Sequence, residues 1–157
     1  MGRSPKSVIT AIAIASLALL SQPAIASPWS ATLQPLLQSL NRFGFRVQIR
    51  QPGRGGLYGY FAPKERLIVV NPVVFELGLD EVTLVHEAVH AAQFCAGRTQ
   101  LQVLGLPYDP PPQLRRSFLR YRDPRRQQLE AEAYAVQARS DRLVEVQRLL
   151  NQYCKPR

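Results

Sequence analysis

The chain predicts an α+β fold: a small, mostly antiparallel three-stranded sheet with an N-terminal helix, a central His-Glu-x-x-His helix and a C-terminal glutamate-bearing helix. Three observations carry this expectation. Leu33, Leu36, Leu37 and Leu40 recur at helical spacing. Three short segments between residues 43 and 71 have strand character and are separated by turn-forming residues. Two later segments, beginning near residues 80 and 127, have helical composition.

In chain order, Trp29 to Arg42 reads as the first helix, with Pro35 in its opening turns, where proline is tolerated. Phe43 to Arg50 alternates apolar and polar residues, as a strand does. Pro52 to Gly56 is a turn, and Leu57 to Phe61 a second strand. Pro63 to Arg66 turns into a third, Leu67 to Asn71. Asn71-Pro72 ends that strand, and Val73 to Leu77 reads as a short helical turn. The central helix then starts at an acidic N-cap, Asp80, and stops at Gly97. Residues 98–126 form a proline-containing connection, within which Gln113 to Tyr121 reads as a short helix. Gln127 to Gln152 reads as one long helix. The glycine-rich turn is no phosphate loop, since neither a Lys-Ser/Thr pair nor a helix start follows it.

The first 26 residues carry export signals. Arg3 and Lys6 are basic, and Val8 to Leu20 is an apolar run of 13 residues, short of the ~20 a membrane span needs. Ala24-Ile25-Ala26 offers a cleavage site. Residues 1–26 are therefore expected to be a signal peptide cleaved after Ala26, the alternative being an uncleaved anchor. Residues 27–157 are expected to be a single domain in the periplasm, a lumen or the extracellular space. The formal charge is +9, and +7 without Arg3 and Lys6, which favours anionic partners. Export and the lack of a base-reading motif argue against nucleic acid. Cys95 and Cys154 form an even pair in an oxidising compartment, which predicts a disulfide between the central and last helices; the alternative is two buried free thiols.

Leu84-Val85-His86-Glu87-Ala88-Val89-His90 uses both histidines of the chain. Four residues apart on a helix, His86 and His90 present two imidazoles to one point, as a zinc site requires. Glu87 occupies the place of a general base. The bland alternative is a core helix with two inert, hydrogen-bonded histidines. A catalytic zinc commonly has three protein ligands, and with no third histidine the remaining one is a carboxylate or a cysteine. Cys95, five residues past His90 on the same helix, is badly angled for it.

Leu129-Glu130-Ala131-Glu132-Ala133-Tyr134-Ala135 resembles the second motif of gluzincin-type zinc metallopeptidases, in which a downstream helix supplies a glutamate followed three residues later by a small one. The resemblance covers the two motifs and the order of elements, and it also fits small exported bacterial proteins of this kind, cyanobacterial ones included. It implies Zn2+ held by His86, His90 and either Glu130 or Glu132, with Glu87 as the catalytic base for hydrolysis of a protein or peptide substrate. It also implies that the third strand is the edge against which an extended substrate pairs. Glu130 is favoured by Tyr134, the polar residue four positions on, although the family's usual Asp or Asn is missing there. Glu132 is favoured by helical phase, because Leu129, Val136 and Leu143 define the apolar face. The two lie about 200° apart on a helix.

Two further features bear on function. Arg115, Arg116, Arg120, Arg122, Arg125 and Arg126 form a basic segment, read either as a solvated face or as an anion-recognising lip beside the cleft. An oxyanion donor is to be sought among Tyr108, Tyr121, Tyr134 and these arginines. The competing function is a non-catalytic, basic exported protein that binds anionic membrane or cell-wall surfaces, with or without structural zinc.

Overall fold

The computed structural model describes residues 27–53 and 55–156; the expected signal peptide lies outside them. The architecture is α+β. After a 3-10 turn at Ala31–Leu33 come α1 (Gln34–Arg42), β1 (Arg46–Ile49), β2 (Gly59–Ala62), β3 (Leu67–Val70), α2 (Val73–Glu76) and α3 (Asp80–Gly97). A second 3-10 turn at Pro112–Leu114 precedes α4 (Arg115–Leu119), α5 (Pro124–Gln137) and α6 (Arg142–Tyr153). Among the described residues no helix is long and apolar enough to cross a membrane.

The sheet is mixed, in the order β1-β3-β2. β2 and β3 form the expected antiparallel hairpin, with Gly59 opposite Val70. β1 instead joins the far side of β3 in parallel, Arg46 opposite Leu67. The third strand is thus central, which corrects its expected place at the substrate-binding edge. Its composition explains why: Leu67-Ile68-Val69-Val70 is apolar throughout and every residue is buried, as suits a strand with neighbours on both sides. The strand end facing the cleft is β2.

Several helix boundaries also differ from expectation. Asp80 is the first residue of α3 rather than its cap; Leu79 holds the cap position, and no side chain caps the helix. The long C-terminal helix is broken at residues 138–141. There the Arg139 guanidinium donates to Asp141 at 2.7 and 2.8 Å, and Arg142 donates to the carbonyl of Gln137 at 2.8 Å. Such side-chain bonds satisfy helix-end groups and allow the chain to turn. The upstream half starts earlier than expected, because Asp123 caps α5 by accepting from the Arg125 N–H at 3.0 Å, with Pro124 in the first turn.

α3 runs through the middle of the molecule. Every residue from Thr83 to Gln93 is buried, because α5 and α6 pack on one side and β2 and β3 on the other. The apolar core joins Leu36 and Leu40 of α1, Phe45, Ile68 and Val70, the Leu84-Val85-Ala88-Val89 surface of α3, and Val146, Leu149 and Leu150 of α6. A Cys95–Cys154 disulfide fastens the ends of α3 and α6 together.

Candidate metal centre

A helix that is buried on all sides can carry polar residues only if each finds a partner. Seven such residues lie on α3 and α5: Thr83, His86, Glu87, His90, Gln93, Glu130 and Glu132. Their partners organise the site.

His86 and His90 lie one turn apart on α3, and Glu130 reaches toward them from α5. The Oε2 atom of Glu130 is 3.3 Å from Nε2 of His86 and 3.8 Å from Nε2 of His90. These three residues form a group that can hold a metal ion. Glu132 is not part of it. Its carboxylate points the other way and accepts from the backbone N–H groups of Leu104, Gly105 and Leu106 at 2.9, 2.7 and 3.3 Å, and from the Gln93 amide at 2.9 Å. The wide angular separation of the two glutamates therefore serves two purposes, one at the metal group and the other in holding a loop.

The outer nitrogens of both histidines are held by glutamines. His86 Nδ1 lies 2.8 Å from Gln137 Oε1, and His90 Nδ1 lies 2.7 Å from Gln93 Oε1. The Gln93 amide has its orientation set by its other end, since its Nε2 donates to the Leu129 carbonyl at 3.0 Å and to Glu132. Its Oε1 must therefore accept, which places a proton on Nδ1 of His90 and leaves the Nε2 lone pair facing Glu130. With His86 Nδ1 against Gln137 Oε1 and both rings neutral, two imidazole lone pairs and a carboxylate oxygen converge. Acceptors repel one another at this range, so the arrangement suits either a metal cation among them or a proton on an imidazole Nε2 that bonds to Glu130.

Without a metal ion, Glu130 and His90 stabilise one another's charged forms. Burial acts to raise the Glu130 carboxyl pKa, but the bonds and charges of His86 and His90 outweigh it and hold that carboxyl well below the usual carboxylate range. For His90 burial acts to lower the pKa, yet Glu130 and Glu87 outweigh it and raise it. In Glu87 burial prevails over the pull of the two histidines, and its pKa is raised.

Glu87 lines the same cleft as the three ligand candidates. The cleft has a volume of about 820 Å³ and runs between β2 and the segment joining α4 to α5. Gly59 permits the close approach of α3 to β2. A Cβ there would lie 3.0 Å from both Thr83 Cγ2 and the Val69 carbonyl, and 3.3 Å from Glu87 Cγ. Tyr134 packs edge-on against His86 with ring centroids 4.7 Å apart. Tyr121 and Tyr134 line the cleft. Tyr108 does not, and its hydroxyl donates instead to Glu145 Oε1 at 2.6 Å.

Of the residues expected from the sequence, His86, Glu87, His90 and Glu130 come together, and Glu132 and Tyr108 do not. The arginines divide: Arg120, Arg125 and Arg126 line the cleft, whereas Arg115, Arg116 and Arg122 do not. Sequence reasoning missed the glutamine partners because it looked for Asp or Asn four residues beyond the third ligand. The available signals were Gln93, three residues past His90, and Gln137, two turns past Glu130. Comparison of the chain with family models, with curated proteins and with solved structures finds no match.

Proposed function

We propose that this protein is an exported, zinc-dependent metallopeptidase. The observation that carries the reading is the convergence of His86 Nε2, His90 Nε2 and Glu130 Oε2 beside a buried glutamate in an open cleft. Two imidazoles and a carboxylate are a donor set suited to zinc, and one that leaves a position open for chemistry. When bound, zinc supplies Lewis acidity, polarising a carbonyl and lowering the pKa of water toward ~7.

The chain's own residues account for the rest. Gln93 and Gln137 hold the histidine tautomers and ring orientations. Glu87 accepts a proton from the attacking water and delivers it to the leaving amine. Its raised pKa suits a group that must both take up and release a proton. An extended substrate lies along the outer side of β2, which has no strand partner among the described residues. The cleft-lining Tyr121 and Tyr134 are the tyrosines available to donate to the oxyanion. The disulfide fits an oxidising compartment, in keeping with export.

Glu87→Gln tests the assignment. The variant should bind zinc as wild type does and lose hydrolysis of a peptide that wild type cleaves, by ~10²-fold or more. Equal turnover by the two proteins would refute the mechanism.

A further inference from the structure

The six arginines between residues 115 and 126 hold different positions. Arg125 donates to the Leu101 carbonyl at 2.6 Å. Arg120 and Arg126 gather around Tyr121 instead, with guanidinium carbons 5.4 and 4.3 Å from its ring centroid. Both line the metal-site cleft, and both line a second depression of about 440 Å³, shared with Gly55, Leu57 and Tyr121. Arg126 Nε also lies 3.6 Å from Oε1 of Glu130, the carboxylate oxygen turned away from the histidines. One guanidinium thus sits directly beside the metal group.

The acids of the cleft already have roles. Glu130 faces the histidines, Glu87 is the proposed base, and Asp123 caps α5. Among the described residues the second depression is lined by no acid. Any anion entering it meets two guanidiniums resting on an aromatic ring, an arrangement that limits their side-chain freedom and suits the planar, two-oxygen face of a carboxylate.

We infer that Arg120 and Arg126 form a carboxylate-binding subsite beside the metal group, and that the substrates are peptides presenting a carboxylate to it. This rests on the peptidase reading and names its substrate class. The carboxylate is either an Asp or Glu side chain near the bond to be cut or the free C-terminus of a short peptide.

The test uses the purified Glu87→Gln protein, zinc-loaded, and fluorescence anisotropy with three labelled hexapeptides. The first carries one internal glutamate and an amidated C-terminus. The second replaces the glutamate with glutamine, and the third is the second with a free C-terminus. The subsite predicts that the first or the third binds at least tenfold more tightly than the second, and which of them does so identifies the carboxylate. Adding Arg120→Gln and Arg126→Gln should abolish the preference, whereas adding Arg115→Gln and Arg116→Gln, outside the cleft, should leave it intact. Equal affinity for all three peptides, no binding at millimolar peptide, or equal loss in both arginine pairs would overturn the inference. Circular dichroism and zinc content show whether each variant is folded. Because binding is read without turnover, a wild type that hydrolyses nothing would count against the peptidase reading alone. Loss of charge preference with zinc bound would count against the subsite alone.

Discussion

Gln93 holds His90: its amide oxygen lies 2.7 Å from Nδ1 of the imidazole, while its amide nitrogen is fixed by the Glu132 carboxylate at 2.9 Å. Glu132 in turn gathers the N–H groups of Leu104, Gly105 and Leu106. A loop, a glutamate, a glutamine and a candidate metal ligand thus form one buried chain of hydrogen bonds. Partners of this kind fix ring orientation and contribute substantially to metal affinity.

Gln93→Leu is therefore expected to weaken zinc binding ~10–100-fold, measured by competition with a chromophoric chelator. Leucine keeps much of the side-chain volume but supplies no acceptor for His90 Nδ1–H. Unchanged affinity in a folded variant would mean that Gln93 serves packing alone.

The Cys95–Cys154 bridge closes a loop with a sequence separation of 59. In the chain-entropy model this stabilises the fold by ~4 kcal/mol. The Cys95→Ser, Cys154→Ser double variant should show a lower denaturant midpoint and little change in zinc stoichiometry, since the metal group lies more than one helical turn from Cys95. A midpoint equal to wild type would show that the bridge contributes nothing to stability.

Glu145 predicts a pH effect away from the metal group. Its carboxylate accepts from Arg148 at 2.6 and 2.8 Å and from Tyr108 at 2.6 Å. The Arg148 hydrogen bond is the main influence holding its pKa below the usual value, with burial opposing. A depressed carboxyl pKa stabilises the fold above the unfolded-state value, near ~4.3, and that stability is lost as pH falls through the folded-state value. Glu145→Gln should therefore cost about 1 kcal/mol at neutral pH, a modest figure because Arg148 is half exposed. The deficit should shrink in acid unfolding experiments below the ordinary carboxylate range. A deficit independent of pH would point to lost packing rather than lost charge.

Much of the site was legible because its spacing is local. His86, Glu87 and His90 lie within one and a half turns, and their convergence follows from helix geometry alone. The disulfide was legible because the chain offers a single pairing. Choosing between Glu130 and Glu132 was harder, because the helical-phase argument assumed that α5 buries one face. In fact α5 buries both glutamates, one toward the histidines and the other toward the 104–106 loop, so phase could not tell them apart. The sheet order was misread because sequential strands were taken as neighbours, although the wholly apolar run Leu67–Val70 pointed to a central strand. The break between α5 and α6 was missed because Ala138-Arg139-Ser140-Asp141 carries no proline or glycine to mark it.

The central claim is that His86, His90 and Glu130 hold zinc. The direct test is zinc per chain by elemental mass spectrometry on the purified protein, alongside His86→Ala, Glu130→Gln and Glu132→Gln. The account predicts about one zinc in wild type, loss in His86→Ala, and weaker retention in Glu130→Gln than in Glu132→Gln after equal chelator challenge. Wild type that takes up no zinc after reconstitution near neutral pH would contradict it, leaving the two histidines as buried packing residues.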